Sequence, residues 1–96
     1  MAYDNSSIGF SVEGSETVTI PASEWARYLR YFWRYRHKWV LAKEMARDLD
    51  TIEIHPRLSQ LRNRFGLVID DKPGPRRQKL YRLNQSVKVV EAASDG

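Results

Sequence analysis

HPRLSQLRNRFGLVIDDKPGPRRQKLYRLN, residues 55–84, is the stretch that decides the fold. Leu58, Leu61 and Phe65 recur at spacings of three and four, the period of one face of a helix. Pro56 suits the first helical position, where its missing N–H has no partner to lose, and Gly66 suits the residue that ends a helix. Leu67-Val68-Ile69 then reads as a strand and 70–77 as a turn-rich loop around Lys72-Pro73-Gly74-Pro75. Lys79 to Asn84 reads as a second strand, with Leu80 and Arg82 on one face and Tyr81 and Leu83 on the other. In the loop, the two prolines supply stiffness and Gly74 is expected to supply the turn.

Working upstream, Leu41, Met45 and Leu49 recur every four residues and predict a helix ending near Asp50, after a brief extended stretch at Trp39-Val40. Pro21 and Ser23 are start signals for an earlier helix, with Glu24 in its first turn, running to about Tyr35. Trp25, Leu29, Phe32 and Trp33 form its apolar face, widened by Tyr28, Tyr31 and Tyr35. Trp39 joins these aromatic residues as packing, which disfavours stacking on single-stranded bases. Arg27, Arg30 and Arg34 gather on the opposite side as a solvated row, a secondary phosphate contact at most. Ile8, Phe10 and Val12, a Gly14-Ser15 turn, and Val18 and Ile20 predict an N-terminal β-hairpin. Val87, Val89 and Val90 predict a last strand beside it, and 92–96 a disordered tail. The fold class is thus α+β, in three parts: an N-terminal arm or hairpin over 1–21, three helices with a two- to three-stranded antiparallel sheet over 22–84, and a C-terminal strand and tail over 85–96.

Ninety-six residues allow one packed core and leave little room for a catalytic cleft with a separate substrate lobe. The chain has no cysteine, so it has neither a disulfide framework nor a thiolate metal site, and His37 and His55 alone cannot close a zinc site. There is no Gly-rich phosphate loop and no context for general-base work at either histidine. The expectation is no catalytic residue, no metal and no cofactor. The longest apolar run is too short to cross a bilayer, and Met1 to Phe10 carries neither a basic nor an apolar leader segment, which predicts no membrane partner and a cytoplasmic protein. Residues 22–83 hold 15 Lys/Arg against 7 Asp/Glu, a surplus of eight, whereas the ends are acidic: Asp4, Glu13 and Glu16 before, Glu91 and Asp95 against Lys88 after. A basic middle of this kind is a common footprint of nucleic-acid binders.

From about Trp39 to Leu83 the chain resembles the winged helix-turn-helix family, particularly small phage and bacterial DNA-binding proteins. The resemblance is carried by Arg57, Leu58, Ser59, Leu61 and Arg62, then Phe65-Gly66-Leu67, then Lys79-Leu80-Tyr81-Arg82-Leu83. It implies that the third helix is a recognition helix and that the following hairpin is a wing. With the apolar stripe turned inward, the outward side of that helix holds Pro56, Ser59, Gln60 and Asn63, flanked by Arg57 and Arg64, without an acid between Ile54 and Val68. Carboxamides can read adenine and arginine can read guanine, and all of these side chains can hold phosphates. The wing adds Lys72, Arg76, Arg77 and Lys79; Asp70 and Asp71 are expected to pair with Arg76 or Arg77 at its base. His55 enters the helix beside DNA. The second helix departs from the family in lacking a Ser or Thr cap, and Lys43 is its one good phosphate contact.

The sequence reading is therefore a double-stranded DNA-binding protein, a transcriptional regulator or an architectural recombination factor of the excisionase type, nucleoid-associated in the cell. Because one such domain reads few base pairs, a homodimer through the hairpin and first helix is in view. The alternative is the same scaffold used as an interaction module that holds or inhibits a protein partner, motivated by the hairpin, the tyrosine-rich edge and the acidic ends.

Overall fold

The computed structural model describes residues 4–90. In chain order the elements are β1 (Ile8–Val12), β2 (Val18–Ile20), α1 (Glu24–Arg34), β3 (Val40–Leu41), α2 (Ala42–Leu49), α3 (Ile54–Phe65), β4 (Ile69–Pro73), a short 3-10 turn (Pro75–Arg77), β5 (Lys79–Leu83) and β6 (Val87–Val90). They form a small α+β domain with two three-stranded antiparallel sheets, ordered β2-β1-β6 and β3-β5-β4. The expected tail over 92–96 lies outside the described residues.

Helix α1 begins after Ser23, whose carbonyl accepts the N–H groups of Ala26 and Arg27 while its hydroxyl donates to the Pro21 carbonyl. It buries Ala26, Tyr28, Leu29, Tyr31 and Phe32. Trp25, Trp33 and Trp39, expected in the core, are instead half-buried at its rim. The Trp25 indole N–H donates to Gln60 at 2.8 Å and its ring meets Phe65 edge-on at 5.3 Å, so its polar end stays where a partner can reach it. Helix α2 buries Met45 and Leu49. Its first turn has no Ser, Thr, Asp or Asn cap; Glu44 instead reaches back to the Leu41 N–H at 3.3 Å. Asp50, left-handed at φ 54°, ends it.

Helix α3 starts two residues earlier than Pro56 suggests. The Thr51 hydroxyl accepts the Glu53 N–H at 3.1 Å, and Ile54 is buried in the first turn, so Pro56 stands third. Proline is tolerated there because the first four N–H groups of a helix have no intrahelical partner. The buried stripe is accordingly Ile54, Leu58 and Leu61, with Phe65 half-exposed and Gly66 left-handed at φ 76°.

Strand β4 extends to Pro73, further than the Leu67 to Ile69 run suggests, because Asp71, Lys72 and Pro73 pair with Tyr81, Leu80 and Lys79. Period-two pairing puts Val40, Ile69, Tyr81 and Leu83 on the inner face toward the helices, and Leu41, Lys72, Leu80 and Arg82 outward. The N-terminal hairpin is no loose arm: β6 pairs with β1 from Gly9↔Val90 to Val12↔Val87, and Ile8, Phe10 and Ile20 join one core cluster with α1, Leu83 and Val87.

Candidate functional site

The register Leu41↔Leu80 seats the first residue of α2, Ala42, beside the first residue of β5, Lys79. Tyr81, two residues on from Lys79, shares a hydrogen bond with His55 Nδ1 at 3.2 Å and so ties the first turn of α3 to the same strand. Between these three elements lies a groove of about 390 Å³, lined by Ala42, Lys43, His55, Arg77, Gln78 and Lys79. Lys43, His55, Arg77 and Lys79 converge there from α2, α3, the 3-10 turn and β5, and among the described residues the lining contains no acid. Ala42 keeps the mouth open by having almost no side chain. Burial pushes the Tyr81 phenol up, aided by the Asp71 carboxylate and opposed by the Arg62 guanidinium, so at neutral pH the hydroxyl facing His55 is intact.

The outward face of α3 continues from this groove. Ser59 and Asn63 are exposed one turn apart, with the Asn63 amide donating to the Ser59 hydroxyl at 3.2 Å. Gln60 does not belong with them as expected: it is half-buried, and its oxygen accepts from Trp25 Nε1 and from Arg57 Nη1 at 3.1 Å. Arg57 pairs with Glu53 at 3.2 Å, and Arg64 lies over the Trp25 ring at 4.9 Å. That flank of α3 is thus closed by α1, leaving Arg64 as its exposed charge.

The other flank faces the β4–β5 hairpin. Arg62, quoted in the sequence only for its resemblance, donates to the Ile69 carbonyl at 2.7 Å and pairs with Asp71 at 3.1 Å. Asp70 accepts both of its contacts from the Asn84 amide. The aspartates therefore pair with Arg62 and Asn84, away from the tip of the hairpin, correcting the expectation that they hold Arg76 or Arg77. Arg76 and Arg77 are exposed and left-handed, at φ 56° and 65°. Gly74 is extended and does not make the turn; it is small because a Cβ there would sit 3.2 Å from Leu80 Cγ and 3.1 Å from the Gln78 carbonyl. Lys72 lies 4.5 Å from the Trp39 ring on the outer face, beside Arg82 at 4.3 Å, and does not join the groove.

The arginine row of α1 is largely committed to holding the fold. Arg27 pairs with Glu24 and donates to the Leu49 carbonyl, and Arg30 donates to the carbonyls of Asp4, Ser6 and Ser7. Neither suits the phosphate contact considered for it. Sequence reasoning passed over Gln78 and Ala42; their signal was position, one inside the basic run and one opening a helix beside it.

No family model, curated protein or solved structure matches the chain. The described residues form a small α+β domain of three helices and two antiparallel sheets. Among the described residues no helix is long and apolar enough to cross a membrane, and no group of three or more His, Asp or Glu is placed to hold a metal ion.

Proposed function

We propose that the chain is a winged-helix domain that binds double-stranded DNA, with α3 in the major groove and the β4–β5 hairpin as a wing on the backbone. The observation that carries this reading is the groove in which Lys43, His55, Arg77 and Lys79 meet without an acid, opening onto exposed Ser59 and Asn63. A phosphate seated there would meet charge from the start of α2 and from the wing while α3 lies against base edges. The order α1-β3-α2-α3-β4-β5, with sheet order β3-β5-β4, supports the scaffold reading. The DNA-facing set on this reading is Lys43, His55, Ser59, Asn63, Arg64, Arg76, Arg77 and Lys79, with Arg57 and Gln60 bracing α3 behind it. A regulator or an architectural recombination factor fits equally.

The test is duplex binding across a salt series. Wild type should bind at low salt with a log–log salt slope, and the Arg77→Ala, Lys79→Ala double variant should bind more weakly and lose about two units of slope, at roughly 0.9 per phosphate contact. Absence of duplex affinity at low salt overturns the reading.

A second reading, a protein partner or a second copy, is favoured by the sheet β2-β1-β6, whose outer strands β2 and β6 have no further strand beside them among the described residues and which the DNA reading does not use. The exposed large apolar side chains among the described residues, Ile52, Val68 and Val90, lie apart and include no aromatic ring, which weighs toward DNA. Mass measurement in solution, with and without duplex, separates the two.

A further inference from the structure

Away from the groove, a second cavity lies where the two sheets diverge. It holds about 220 Å³ and is lined by Trp33 in the last turn of α1, Arg36 and His37 just after it, Leu83 at the end of β5, Asn84 and Gln85 in the connector, and Val87 and Lys88 on β6. Two of its walls are fixed. The Asn84 amide donates to both Asp70 oxygens, and its carbonyl accepts the Ser86 N–H and hydroxyl at 2.9 and 2.6 Å, so the connector is held from both sides. Arg36 lies 4.0 Å over the Trp33 ring and donates one N–H to the Trp33 carbonyl at 2.7 Å, which orients its guanidinium. The remaining N–H groups of its planar fork carry the charge. His37 and Lys88 are exposed at the rim. Among the described residues the lining contains no acid, and no carboxylate pairs with Arg36, His37 or Lys88.

We propose that this cavity binds a small organic anion with a flat apolar body, an aryl or short-chain carboxylate. The volume falls below the roughly 300–1,000 Å³ of drug-sized sites, which suits one ring and excludes a nucleotide. The half-exposed Trp33 ring, backed by buried Leu83 and Val87, supplies the apolar wall, so a bare inorganic ion would leave it unmatched, while a neutral ring would leave the Arg36 fork and Lys88 unanswered. The inference does not depend on DNA binding.

The experiment titrates the full chain with benzoate, following the Trp33 indole N–H resonance assigned with Trp33→Phe, beside benzyl alcohol and inorganic phosphate. The expected result is a saturable Trp33 shift with benzoate, weaker response to either comparator, and about tenfold weaker benzoate binding in Lys88→Gln and in Arg36→Gln, one lost charge-assisted contact each. Lys88 is exposed, so its variant folds even if the Arg36 variant does not. No saturable shift overturns the proposal. Equal response to benzyl alcohol would mark an apolar crevice, and equal response to phosphate a merely basic surface; either overturns it as well.

Discussion

Two carboxamides on α3, three residues apart, have different tasks. Gln60 accepts from Trp25 and Arg57 behind the helix, whereas Asn63 faces solvent with Ser59. Gln60→Ala should lower unfolding free energy by about 1–3 kcal/mol, because the Trp25 indole N–H loses its partner. Asn63→Ala should leave stability within about 0.5 kcal/mol and act on duplex affinity alone. Urea titration beside a binding isotherm checks both, and an Asn63 variant as unstable as the Gln60 variant would contradict the assignment. Tyr28 makes a second case. It is 1% exposed, and burial pushes its phenol up, with the Thr51 hydroxyl and nearby Arg57 working against. An acid raised in the folded state contributes stability present below its unfolded value of 10.0 and lost as pH climbs past it. Tyr28→Phe should therefore flatten the fall of the urea midpoint above pH 10, with Tyr81, also raised by burial, keeping its own part. At this scale the sequence was legible where the period alone decides, as at Leu58 and Leu61. It was not legible at Gln60, because helical angle places residue 60 on the outward side and only the packing of α1 covers it.

At the scale of elements, the candidate interface depends on how α3 is fixed against the wing, and Arg62 is the link. Its guanidinium bonds the Ile69 carbonyl and the Asp71 carboxylate, joining the last turn of the helix to the first residues of β4. Both charges are about one-third exposed, so solvent screening keeps the ion pair itself to about 0–1 kcal/mol. Arg62→Met keeps the aliphatic stem and removes both contacts. It should cost about 1 kcal/mol globally while raising amide exchange selectively in β4 and the wing tip. Uniform faster exchange over all elements would show that Arg62 is only a general stabiliser. The wing was readable as strand, loop, strand from its prolines and alternation, yet its turn was not. Arg76 and Arg77 take the left-handed conformations expected of Gly74, since Gly74 is needed for close approach to Leu80. Left-handed geometry costs a side-chain-bearing residue roughly 1–2 kcal/mol, and that cost is invisible in a pattern of prolines and charges.

For the whole molecule, the question is whether the N-terminal sheet is an accessory or part of the same folding unit as the candidate DNA surface. Ile8, Phe10 and Ile20 are fully buried, and the cluster that holds them runs without a break through α1 to Leu58, Leu61 and Tyr81. Pairing of β6 with β1 closes the chain on itself, and the Glu13 N–H to Ser86 carbonyl bond at 2.9 Å extends that closure beyond the strands. Such a core has no seam along which one sheet could melt alone. Phe10→Ala, remote from the groove, should then cost about 3–5 kcal/mol. Thermal unfolding should remain one transition, lower in temperature, whether followed by far-ultraviolet circular dichroism or by tryptophan fluorescence, although all three tryptophans lie outside the N-terminal sheet. Duplex affinity of the folded fraction should be unchanged. If instead the tryptophan signal kept its wild-type midpoint while the dichroism signal lost part of its amplitude early, the N-terminal sheet would be a separable arm and residues 22–84 the autonomous unit.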